Sequence, residues 1–327
     1  MGGGLVVGAD GSASGGAALR WAVREAVARG VPLTVVHAWV QTWNDPSRHL
    51  HAQEPAAGHA VTVGEGDDVE PHQAATGPAG ADAEFARRLA FVRSLVEDAV
   101  DAVDGLDGLE VVPRQVHGWP APALLQVARE TDAAMVVVGR TGAGRLGRLI
   151  LGSVSASVVQ DATLPVTVVP GDGDDPAAPP AARRVVVGVD GSTASVAALR
   201  EGARVVAHAG GVLEAVVCWQ LTTTARPPEG HGWVPPVDDF ADWARTRLEA
   251  TIARAADEGP GLAVPADDVV REVRHARPAA GLAEVCRGAD RVVVGDRGTG
   301  GLERLVLGSV SRQLLEAAPC PVTVVRA

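Results

Sequence analysis

The chain has 327 residues, of which 46% are hydrophobic and 21% charged, with a net charge of −11. That length suggests two domains, and that composition belongs to a globular chain able to bury real cores. The acidic balance excludes nucleic acid and anionic membrane as the main partner, because phosphate-bearing surfaces demand clustered cations.

There is no lysine; all 29 basic residues are arginine. A P-loop of the G-x-x-x-x-G-K-[ST] type is therefore absent. The N-terminus, Met1 to Val7, lacks the basic flank and long apolar core of a signal peptide. No apolar run approaches the ~18 residues of a membrane span. Cys218, Cys286 and Cys320 show no metal-ligand spacing and sit in apolar contexts, as buried thiols of a reducing compartment do. A cytoplasmic location is expected.

In chain order, strands are predicted near 4–9, 33–38, 110–116, 134–138 and 165–169, with helices near 13–29, 82–103, 121–131 and 153–162. The Pro-, Gly-, Ala- and Asp-rich stretch 171–183 reads as a linker between domains 1–170 and 184–327. The second half repeats the pattern, with strands near 184–189, 212–218, 269–274, 291–294 and 321–325. These strands are apolar runs without alternation, which suits parallel sheets covered by helices on both faces. The fold class is α/β, two tandem doubly wound Rossmann-like domains. Residues 41–80 and the shorter Pro-rich 220–236 read as loops over the mouth of each site.

The halves are a duplication. Val6-Val7-Gly8-Ala9-Asp10-Gly11-Ser12 matches Val186-Val187-Gly188-Val189-Asp190-Gly191-Ser192. Gly139 and Gly142, nine residues, then Gly152-Ser153 match Gly295 and Gly298, nine residues, then Gly308-Ser309. Each glycine pair follows an apolar run and each Gly-Ser opens a helix. Free amides and the positive end of the helix dipole then face whatever lies there, and an anion is favoured. Ser153 and Ser309 are candidates to cap the helix, to donate to phosphate, or both. Ser155 and Ser311 add hydroxyls one turn in. Arg145, Arg148 and Arg304 are further phosphate candidates. Asp10 and Asp190 end the first strand of each half. They are placed to accept from a ribose hydroxyl or to hold Mg2+; otherwise they cap the next helix in competition with Ser12 and Ser192.

Gly142-Ala143-Gly144-Arg145-Leu146-Gly147 satisfies G-x-G-x-x-G, but it follows a fourth strand, and the second copy lacks the third glycine. His49, His51, His59 and His72 read as solvated loop histidines, since no Cys or acidic spacing supports a metal site. Trp39 and Trp219 lie at equivalent positions past the second strand of each half. Packing is the better reading for them, and stacking near a base the sharper one.

The constellation G-x2-G-x9-G-[ST], intact twice, resembles the ATP-binding branch of the universal stress protein family, over roughly 1–170 and 184–327. The resemblance implies five-stranded sheets of order 3-2-1-4-5 and dimerisation through the last strand. Here Val166–Val169 and Val322–Val325 would pair within one chain as a pseudo-dimer; a homodimer of tandem chains stays open. It implies ATP and Mg2+ as ligands, and an unidentified protein client. By position, Asp10 and Asp190 resemble the nucleotide-contacting aspartate. Ala38 and Cys218 occupy the strand end that binds adenine through its backbone. Gly139, Gly142, Gly152, Ser153, Val154 and Ser155 resemble the ribose- and phosphate-binding loop, repeated by Gly295, Gly298, Gly308, Ser309, Val310 and Ser311. No catalytic base can be named, so at most slow hydrolysis or autophosphorylation is expected. A ligand-free scaffold is the competing reading.

Overall fold

The computed structural model describes residues 3–40, 78–101, 103, 108–141, 151–171, 183–220, 237–298 and 307–327. In the first half, β1 (Leu5–Gly8), α1 (Ala13–Arg29), β2 (Leu33–Trp39), α2 (Pro78–Asp101) and β3 (Val111–His117) are followed by α3 (Pro120–Glu130), β4 (Met135–Gly139), α4 (Ser153–Asp161) and β5 (Val166–Val169). The second half repeats this as β6 (Arg184–Gly188), α5 (Thr193–Ala209), β7 (Val212–Trp219), α6 (Val237–Asp257), β8 (Val270–His275), α7 (Pro278–Val285), β9 (Arg291–Gly295), α8 (Ser309–Ala317) and β10 (Val322–Val325). The second helix begins at Pro78, a few residues earlier than its periodicity suggested.

All ten strands join one sheet of order β3-β2-β1-β4-β5-β10-β9-β6-β7-β8. Each half has the order 3-2-1-4-5, parallel throughout, and the halves meet at the antiparallel pair β5–β10. Thr167 faces Thr323 in that register, and their hydroxyls lie 2.8 Å apart in a fully buried position. The pseudo-dimer is thus built by backbone pairing. At the two free edges, β3 carries Pro113 and β8 carries Arg271, Glu272 and Arg274, residues that discourage further pairing.

The valine runs are buried because helices cover both faces. Alternate residues serve different cores: Val6 and Val136 face one side, Leu5, Val7 and Val137 the other. On the side of α3, α4, α7 and α8, one apolar core runs unbroken across both halves. On the side of α1, α2, α5 and α6 the core is split in two. Between the two parts lies a charged cluster. Glu25 of α1 accepts from Arg29 (2.7 Å), Arg183 (2.7 Å) and Arg291, and Arg29 also reaches Glu201 of α5 (3.0 Å). The Arg291 guanidinium stacks over Trp21 at 4.7 Å.

Candidate nucleotide site

Both sites lie at the carboxyl ends of the two central strands of each half, where doubly wound sheets bind ligands. At the end of β1 the chain turns through Gly11, with φ +76°, and at the end of β6 through Gly191, with φ +85°. This left-handed region suits glycine, and it lets the next serine start a helix. Ser12 and Ser192 are those N-caps: their hydroxyls accept from the amides of Gly15 (3.0 Å) and Ser195 (3.1 Å). The competition for the cap thus goes to the serines. Asp10 and Asp190 instead accept from the serine amides, each at 3.0 Å.

The fourth strand of each half ends in glycine because the first helix packs against it. A Cβ on Gly139 would lie 2.5 Å from Ser14 Oγ, and one on Gly295 would lie 2.5 Å from Ala194 Cβ. The chain then re-enters at Gly152 and Gly308, whose amides donate to the carbonyls of Arg140 (2.8 Å) and Asp296 (2.7 Å). Gly152 and Gly308 are the N-caps of α4 and α8, with no side-chain cap bond. This corrects the expectation for Ser153 and Ser309: each is the first residue inside its helix. The leading amides of α4 and α8 therefore have no capping side chain to serve, and they point their dipole outward. Ser155 and Ser311 are buried and donate to the carbonyls of Gly139 (2.5 Å) and Gly295 (2.6 Å), tying strand end to helix.

A cavity of about 300 Å³ results in the first half and one of about 460 Å³ in the second. The first is lined by Asp10, Ala38, Gly139, Gly152, Ser153, Val154 and Ser155. The second is lined by Asp190, Cys218, Gly295, Gly298, Gly308, Ser309, Val310 and Ser311. Gly142 lies outside the described residues, as do Arg145, Arg148, Arg304 and the four loop histidines. The apolar walls come from residues not singled out in the sequence: Val36, Leu124 and Val138, and their counterparts Val216, Leu282 and Val294. Pro120 and Pro278 also line the cavities, each at the first turn of its helix. A proline placed three residues after the end of β3 or β8 was the readable signal for that wall.

Trp39 and Trp219 line neither cavity; they pack on His117 and His275, with ring centroids 4.5 and 4.3 Å apart. Packing is thus their role here. All three cysteines are free, with Cys286 and Cys320 buried. Burial pushes the Cys218 thiol up to about 11, with Arg274 opposing the shift and Glu272 adding to it. Helix α7 sits on it, since a Cβ on Gly281 would lie 2.8 Å from its sulfur. Thiolate is scarce at neutral pH, so carbamidomethylation of Cys218 should be slow at pH 7 and accelerate steeply as the pH rises toward 11. Mass spectrometry of the labelled peptide against pH checks this; fast labelling at pH 7 contradicts it.

No group of three or more His, Cys, Asp or Glu is arranged for a metal among the described residues. Each cavity offers one aspartate, and Asp190 reaches across to the loop, since a Cβ on Gly298 would lie 2.4 Å from its Oδ2. One carboxylate fits a Mg2+ ion that draws its other ligands from phosphate and water.

A parallel sheet ending in glycine, a helix start without a side-chain cap and an aspartate thus meet in each half of a doubly wound α/β protein. The universal stress protein family model matches residues 4–170 and 181–326, and the chain belongs to that family. A universal stress protein of Mycobacterium tuberculosis is 34% identical over 328 residues, covering 99% of this chain and 97% of its own. A crystal structure of a universal stress protein from Archaeoglobus fulgidus covers 99% of this chain and 98% of its own, with a TM-score of 0.61 and 18% identity, and so shares the fold. A universal stress protein solved in complex with cAMP aligns with 52% of this chain and 98% of its own, at 24% identity and a TM-score of 0.33.

Proposed function

We propose that this chain is an ATP-binding regulatory protein of the universal stress type, with one adenine nucleotide in each half. The observation that carries the reading is the convergence, in both cavities, of the first-turn amides of α4 or α8 with Asp10 or Asp190 and an apolar slot. The amides suit phosphate, the carboxylate suits a ribose hydroxyl or Mg2+, and the slot between Val36 and Leu124, or Val216 and Leu282, suits a flat base. Ala38 and Cys218, at the ends of β2 and β7, would meet the base edge through their backbone. Asp10 or Asp190 would hold the Mg2+, which when bound neutralises phosphate charge.

In this reading the domains are 1–170 and 184–327 with 171–183 as linker, and the protein works in the cytoplasm. No helix among the described residues is long and apolar enough to cross a membrane. The nucleotide acts as a bound signal that changes the surface offered to a protein client. No catalytic residue is assigned.

The test is to purify the protein without added ligand, denature it, and quantify released nucleotide by chromatography. About two adenine nucleotides per chain are expected, one for each cavity. No released nucleotide, together with no calorimetric binding of Mg-ATP, sinks the ATP reading and leaves a ligand-free scaffold.

A further inference from the structure

The two proposed nucleotide sites are joined by polar contacts that cross the seam between the halves. Each site is built at the start of a nine-residue helix, α4 in the first half and α8 in the second. Nine residues span about 14 Å, so the start and the end of each helix belong to one short rod. An arginine from the other half holds the far end of each rod.

Arg140 follows Gly139 at the end of β4. Its backbone carbonyl accepts from the Gly152 amide at 2.8 Å and so positions the start of α4 in the first cavity. Its buried guanidinium donates across the seam to the carbonyl of Ala318, the C-cap of α8. Asp296 is the matching residue after Gly295. Its backbone carbonyl accepts from the Gly308 amide at 2.7 Å and positions the start of α8 in the second cavity. Its buried carboxylate lies 3.7 Å from Nε of Arg326. Arg326 in turn donates to the carbonyls of Val159 (3.2 Å) and Gln160, in the last turn of α4.

These contacts form a closed ring. It runs from the start of α4 through Arg140 to the end of α8, and along α8 to its start. From there it passes through Asp296 and Arg326 to the end of α4, and back along α4. Both cavities lie on it, at Gly152 and Gly308. The two straps are not copies of each other: the repeat matches Arg140 with Asp296, and Arg326 with Pro170. They nevertheless end at the same place on each helix.

An anion at the start of a helix and a cation at its end act on the same dipole with the same sign, so each favours the other. Phosphate on the start of α4 therefore strengthens the hold of Arg326 on its end, and Arg326 is paired with Asp296, which sets the start of α8. Phosphate on α8 acts in the same way through Arg140 on the start of α4.

We infer that the two sites of one chain bind nucleotide with positive cooperativity, and that Arg140 and Arg326 are positioning residues, each carrying the state of one site to the other. This rests on the nucleotide reading above. The coupling is reciprocal, since the effect of either site on the other is one free energy.

The experiment is calorimetric titration of the nucleotide-free full chain with Mg-ATP, for wild type, Arg326→Met, Arg140→Met and the double variant. Circular dichroism confirms that each variant is folded. Arg326 is 32% exposed, so its replacement leaves the core intact and keeps the test open should the buried Arg140 prove necessary for folding. Wild type should take up two ATP with the second step about fivefold tighter than the first, a Hill coefficient of about 1.4 at matched sites. Each single variant should lower the coefficient, and the double variant should bring it to unity. A merely structural arginine would weaken both steps together and leave the coefficient where it was. Independent steps in wild type, or a coefficient unaltered by Arg326→Met, overturn the coupling and leave the nucleotide reading standing. No binding of Mg-ATP by wild type overturns both.

Discussion

Replacing Glu25 with alanine should destabilise the protein by about 3–5 kcal/mol, the cost of stripping a buried cation cluster of its counter-charge. Glu25 is almost fully buried and is the shared acceptor for Arg29, Arg183 and Arg291. Without it, the fully buried Arg291 keeps, among the described residues, the face of Trp21 as its partner. Arg291→Met should cost much less, because Glu25 retains two arginines and Met135 already fills the matching position of the first half. Urea unfolding of both variants tests this, and equal losses would contradict it. The cluster also predicts a pH dependence. Burial alone raises the Glu25 carboxyl, but Arg291, Arg29 and Arg183 outweigh it and hold the group well below the usual carboxylate range. A depressed folded value means the stabilisation is complete above the unfolded value, about 4.3, and fades as the pH falls below it. The gap between wild type and Glu25→Ala should therefore be widest near neutrality and shrink on acidification below pH ~4.

That cluster marks the limit of what the sequence displays. Local features were legible: the valine runs became strands because their composition suits a sheet covered on both faces, and Gly11 and Gly191 take the turns that an Asp-Gly-Ser end demands. The five-strand order and the β5–β10 junction followed from the family resemblance, and the register Thr167 to Thr323 bears them out. Glu25 and Arg291 lie 266 residues apart, on a helix of one half and a strand of the other, and no local pattern ties them together. The same holds for Arg140, whose partner carbonyl belongs to Ala318. At the sites, the duplicated glycines marked the cavities, but the cap was assigned one residue late. Serine is the commoner cap, yet here Gly152 and Gly308 take the extended cap position, one residue ahead of the serines. The apolar walls were missed because Leu124 and Leu282 read only as helix core; they are core residues that also face a cavity.

The glycine caps supply the sharpest functional prediction. Gly152→Asp and Gly308→Asp should each remove one of the two proposed nucleotides, and the double variant should remove both. The backbone at both positions is extended, with φ −64° and −60°, and accepts an L residue. At Gly308 a Cβ would lie 3.1 Å from the Asp296 carbonyl oxygen, a contact that a shift of a few tenths of an ångström relieves. Aspartate is a favoured N-cap, so α4 and α8 should hold or gain stability, and thermal unfolding of the ligand-free variants should match wild type or exceed it. Binding should fail all the same. The new carboxylate would take the first-turn amides for itself and stand against phosphate, and like charges in contact cost several kcal/mol, more than about a hundredfold in affinity. The readout is released nucleotide per chain beside the melting curve. Loss of nucleotide with an intact melt places phosphate at the helix start. Full retention in a folded variant would move the ligand elsewhere and remove the main support for the proposed sites.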